Sequence, residues 1–127
     1  MTDVKEFTID RLKWGRGGDD SRLVNSRTGR RCCLGFYGEA CGVDPAKLLD
    51  VMYPLPACPG FAKGDPAWPA WLFEQHGPEL SRGEHRHALA MVNDSNVLDE
   101  TERENRIAEE FAKHGVTVRF VDGPVSP

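Results

Sequence analysis

Arg30-Arg31-Cys32-Cys33-Leu34-Gly35-Phe36-Tyr37-Gly38-Glu39-Ala40-Cys41-Gly42 is the stretch on which the fold turns. Cys33, Phe36, Tyr37, Ala40 and Cys41 recur at helical spacing and Gly42 follows as a stop, so a short helix is expected here. Two adjacent thiols then stand at its start, behind two arginines. Free backbone N–H groups and the helix dipole favour an anion at that place, which would ease ionisation of a thiol. The same pattern suits a small buried helix whose cysteines are core, since free cysteine packs as a small hydrophobe.

Upstream, Phe7-Thr8-Ile9 alternates as a strand, and Asp10 caps a short turn carrying Leu12 and Trp14. The loop Gly15-Arg16-Gly17-Gly18-Asp19-Asp20 leads to Leu23 and Val24, which read as the start of a second strand before a turn at Ser26-Arg27-Thr28-Gly29. Downstream, Asp44-Pro45 is an N-cap followed by proline, opening a short helix through Leu48 and Leu49. From Val51 to Pro69, Pro54, Pro56, Pro59, Pro66 and Pro69 forbid a long helix or central strand. Tyr53, Phe61, Trp68, Trp71 and Phe73 are interleaved with these prolines and call for burial or a partner. Ala70 to Gln75 suits one helical turn, and His85 to Val92 reads equally as a strand or a short helix.

Thr101-x-x-Glu104 resembles a capping box before a helix striped by Ile107, Ala108, Phe111 and Ala112 and closed by His114-Gly115. Val116, Val118 and Phe120 alternate as a last strand. The order predicts a single α+β domain over residues 1–127. It would hold a small, mostly antiparallel sheet that includes the N- and C-terminal strands, covered by two or three helices, with a long Pro/aromatic loop. Cys33, Phe36 and Tyr37 are expected to meet Ile107 and Phe111 in one core.

Composition narrows the function classes. At 39% hydrophobic and 28% charged residues the chain has a soluble globular balance, and no run approaches the roughly 18 apolar residues of a membrane span. Met1-Thr2-Asp3-Val4-Lys5-Glu6 has no apolar leader run, so a cytoplasmic setting with reduced thiols is expected. Residues 1–31 carry eight Lys/Arg against five Asp/Glu, a net +3, and residues 32–127 carry eight against fifteen, a net −7. An acidic chain of this kind lacks the broad basic face that nucleic-acid binding needs.

Three kinds of chemistry have candidate residues. For metal, the cysteines show no C-x-x-C, and Cys33 and Cys41 lie about 12 Å apart along one helix. His85 and His87, taken as a strand, form half a site whose other half would come from Cys58, Cys32 or Asp94. No metal and no cofactor is assigned from that pattern. For nucleophilic catalysis, Cys33 with His85 and Asp94 supplies a thiol, a base and an orienting group in workable order. For binding, Arg16, Arg30 and Arg31 suit an anion, Tyr53, Trp68 and Trp71 suit a flat ligand or a protein interface, and Asn93-Asp94 suits a hydroxyl or amide. Each set has a plain structural alternative: solvated loops, core aromatics, and local capping by Asn and Asp.

Trp14, Arg16-Gly17, Leu23, Gly29, Cys32-Cys33-Leu34-Gly35, Cys41, Leu89, Asn93-Asp94, Arg103-Glu104 and Ile107-Ala108 follow a recurrent order. In this the chain resembles the small uncharacterised bacteriophage and prophage proteins with a Cys-Cys-Leu-Gly segment and a later Asn-Asp before a C-terminal helix. Cys41 stands further from the run than the third cysteine of that group. The resemblance implies a mobile-element accessory protein that acts by occupying a host protein or defence complex, in the manner of an anti-CRISPR or similar inhibitor. Glu100, Glu102, Glu104, Glu109 and Glu110 would offer an acidic face for such a contact. The two other readings are a binder of a small anionic ligand such as a nucleotide, and a cysteine-dependent hydrolase or transferase using Cys33.

Overall fold

The computed structural model describes residues 4–17, 22–57, 60, 62–74 and 84–122. Two strands and three helices follow in the order β1 (Glu6–Asp10), α1 (Cys33–Cys41), α2 (His85–Asp94), α3 (Glu100–Ala112) and β2 (Thr117–Val121). Short 3₁₀ turns occupy Arg11–Lys13, Pro45–Lys47 and Ala70–Phe73. The class is α+β, as the alternation of periodic segments predicts.

The sheet is parallel, which corrects the expectation of an antiparallel one. β1 pairs with β2 in the register Phe7 with Val118 and Ile9 with Phe120. All three helices lie between the two strands in sequence, so the chain crosses over and returns to lay β2 alongside β1 in the same direction. A parallel pair requires a crossover of this kind, whereas a hairpin would give the antiparallel one. Val24 also departs from expectation. It makes one isolated bridge to Leu49 and begins no second strand.

Local chemistry sets most element ends. The Asp10 carboxylate accepts from Leu12 N at 3.0 Å, and Asp44 from Ala46 N at 3.0 Å. Gly42 ends α1 at φ 87°, in the left-handed region where glycine carries no steric cost. The cap of α3 is Asp99, which accepts from Glu102 N at 2.8 Å, and Thr101 lies inside the helix. His85 and His87 belong to a helix, so their i, i+2 spacing places them on different faces.

The core forms where α1 and α3 meet β1. Phe7, Tyr37 and Phe111 make a ring cluster with centroids 4.9–5.1 Å apart. Leu23, Leu34, Leu72 and Ile107 are fully buried around it. Close approach explains two glycines of α1. A Cβ on Gly35 would overlap the Leu23 carbonyl, and one on Gly38 would lie 2.5 Å from the Trp68 ring. Among the described residues no helix is long and apolar enough to cross a membrane.

Candidate functional site

Cys32 and Cys33 lie inside the protein. Cys33 is fully buried and Cys32 nearly so. Burial is the largest influence on both thiols: it pushes Cys32 up to about 12 and Cys33 well above its ordinary value. The helix start that favours an anion is already occupied by a neutral partner. Asn93 Oδ1, reaching across from the end of α2, accepts from the Cys33 backbone N–H at 3.0 Å and from the Trp14 indole at 2.7 Å. Its Nδ2 donates to Gly15 O at 2.9 Å and to Asp94 Oδ1 at 3.0 Å. Asn93 thus brackets β1's exit, α1 and α2 with one amide. His85 sits at the opposite end of α2 from Asp94, about 13 Å along the helix, so Cys33, His85 and Asp94 are not assembled as a catalytic set.

The arginines are also divided. Arg16 lies over the Trp14 ring at 4.3 Å and pairs with Glu100 at 2.6 Å. Arg31 pairs with Glu39 of α1, and Arg30 is exposed on the preceding loop. Arg16 and Arg31 face different helices, and among the described residues the three arginines form no shared anion cradle. On α3, Glu104 takes two 2.7 Å bonds from Arg11, Glu102 pairs with Arg106, and Glu110 pairs with His85. Most of the acidic face is therefore engaged within the chain. Arg103, which sequence reading leaves without a role, is buried and donates to the carbonyls of Val92, Asn93, Ser95 and Leu98, closing the end of α2.

Tyr53, Trp68 and Trp71 separate into three environments. Trp68 is buried against α1. Trp71 is half-buried, donates to Tyr37 Oη at 3.3 Å and lies flat on the His114 ring at 4.0 Å. Tyr53 is exposed, with its ring edge-on to His87 at 4.9 Å. Cys58 and Phe61, two further residues of the sequence reading, lie outside the described residues.

The exposed end of the loop forms an apolar ribbon. Leu49 is 41% exposed, Met52 49% and Tyr53 39%, with Pro45 and Ala46 exposed beside them. The backbone beneath is held firmly. Val24 N donates to Leu48 O at 3.0 Å, Asp50 N to Val24 O at 2.7 Å and Leu23 N to Val51 O at 2.8 Å. Asp50 adopts φ 57°, a conformation that Asp tolerates better than most residues, and its carboxylate accepts from Ser26 N and Oγ at 3.0 and 2.6 Å. Next to the ribbon is a groove of about 440 Å³ lined by Val24, Pro45, Ala46, Leu48 and Leu49, with Arg31 and Glu39 also on its wall. No protein-family model, curated protein or solved structure matches the chain.

Proposed function

We propose that this protein is a non-enzymatic accessory protein of phage or prophage type that binds a protein of its bacterial host through the ribbon at Leu49, Met52 and Tyr53. The observation that carries this reading is the contrast between backbone and side chains in that segment. The backbone of residues 48–51 is bonded to residues 23–26, while the large apolar side chains of Leu49, Met52 and Tyr53 face solvent. A patch ordered before contact loses little conformational freedom on binding, which is what makes a small apolar surface effective. The adjoining groove would accept one apolar side chain of the partner, and Arg31 and Glu39 beside it would set polar register.

The dispersed positions of Cys33, His85 and Asp94 support a binding role over a cysteine-dependent reaction. The separation of Arg16 from Arg31 likewise supports a protein partner over a nucleotide. The test is capture from host lysate with the wild-type chain and with Leu49→Asp/Met52→Asp. The wild type should retain a discrete host protein, and the double variant should lose at least about tenfold in affinity. Val97→Asp, on a fully exposed side chain elsewhere, should retain it. Undiminished capture by the double variant would refute this reading.

A further inference from the structure

Three potential metal ligands converge where α2 begins and α3 ends. His85 is the first residue of α2, Glu110 lies in the last turn of α3, and His114 follows four residues later in the turn beyond it. Their ligand atoms all lie within 4.8 Å of one another. His85 Nδ1 and Glu110 Oε1 are 3.0 Å apart, and the two imidazole rings meet nearly perpendicular at 4.5 Å. Trp71 covers the opposite face of His114, so that ring cannot swing away without breaking a stacked contact. All three ligands are half-buried.

The His85–Glu110 pair alone does not account for this corner. His114 Nε2 is buried and has no hydrogen-bond partner among the described residues. A buried nitrogen left so is costly.

We infer that His85, Glu110 and His114 bind a first-row divalent cation of the zinc class. Two imidazoles and one carboxylate are the donor set that suits zinc. Ligand atoms around a tetrahedral zinc stand about 3.3 Å apart, given bond lengths of about 2.0–2.1 Å, so the His85–Glu110 spacing is already close to what is required. Small side-chain rotations bring in the third. Three protein ligands leave a further position for water or for a donor from a bound partner. The cation would clamp the start of α2 to the end of α3 and hold Trp71 over the junction. This site is on different residues from the apolar ribbon and does not depend on it.

The full chain, freed of metal with a chelator, is to be titrated with Zn²⁺ by calorimetry and with Co²⁺ by visible absorption. One equivalent should bind, with cobalt bands of a four-coordinate site. Glu110→Gln, which keeps the side chain's shape, and His114→Gln should each weaken zinc at least about tenfold. His87→Gln should not. Far-UV spectra in chelator establish that the variants are folded. In the unaltered chain, Co²⁺ should broaden first the NMR resonances of residues 85, 110 and 114. Absence of saturable one-equivalent binding overturns the site, and so does broadening centred elsewhere or full affinity in both variants.

Discussion

Asn93 accepts from two buried donors, the Trp14 indole and the Cys33 backbone N–H. Each donor left without a partner costs about 1–3 kcal/mol, so Asn93→Ala should lower the unfolding free energy by about 2–6 kcal/mol in urea. Asp94→Asn is the contrast. Its side chain is exposed and the replacement still accepts from Asn93, so it should stay within about 0.5 kcal/mol of wild type. The cysteines give a second measurement at this scale. Because Cys32 and Cys33 are buried and their thiols are pushed up, iodoacetamide at pH 8 should label neither in the native protein, and both after unfolding. Labelling of Cys33 in the native state would reopen the enzymatic reading.

α3 carries the clearest element-level test, because it packs on the sheet with one face and presents charge with the other. Phe111 is fully buried against Phe7 and Tyr37, and Phe111→Ala should cost about 3–5 kcal/mol. The start of the helix distinguishes two readings of the same residues. The motif Thr101-x-x-Glu104 points to Thr101 as the cap, whereas Asp99 holds that position. Asp99→Ala should therefore cost about 1 kcal/mol and Thr101→Ala far less, as read from urea midpoints. The sequence motif misleads here because Glu104 is drawn away from the helix end. Arg11, on the turn after β1, takes both of its carboxylate oxygens.

For the whole molecule, the buried thiols predict how stability varies with pH. In the unfolded chain a thiol ionises near its ordinary value of 9.0, while Cys41 in the fold is pushed up to about 11 and Cys32 to about 12, both chiefly by burial. Tyr37 moves in the same direction, for the same first cause. A raised pKa in the folded state means that the fold binds protons the unfolded chain has released. Stability from these groups is thus complete below about pH 9 and is lost as pH rises toward 11–12. Each thiol that ionises only on unfolding contributes a slope of about 1.4 kcal/mol per pH unit in that window. Urea midpoints at pH 7, 9 and 10.5 check this. A Cys32→Ala/Cys41→Ala variant should show a flatter alkaline limb, whatever its stability at neutral pH.

Features that depend on neighbours a few residues away could be read directly along the chain. Helical spacing in 33–41 ended by Gly42, carboxylate caps at Asp10 and Asp44 and the alternation of both strands are present as expected, and the stripe of α3 is buried at Ile107 and Phe111 but exposed at Ala112. Packing between distant segments set the rest. The strands that pair are about a hundred residues apart and run parallel, a direction set by how the intervening segments pack. Cys32 and Cys33 stand at a helix start, yet the chain packed over that start outweighs the dipole, and burial sets their protonation. The aromatic residues of the Pro-rich loop divide into core and rim according to what α1 and α2 leave uncovered. His85 meets Glu110 and His114 because α2 and α3 pack side by side in opposite directions, the start of one beside the end of the other; Glu110 and His114 are neighbours along the chain, whereas His85 reaches them only through that packing. Spacing along the chain records helix faces and caps, whereas burial and long-range pairing are properties of all the segments packed together.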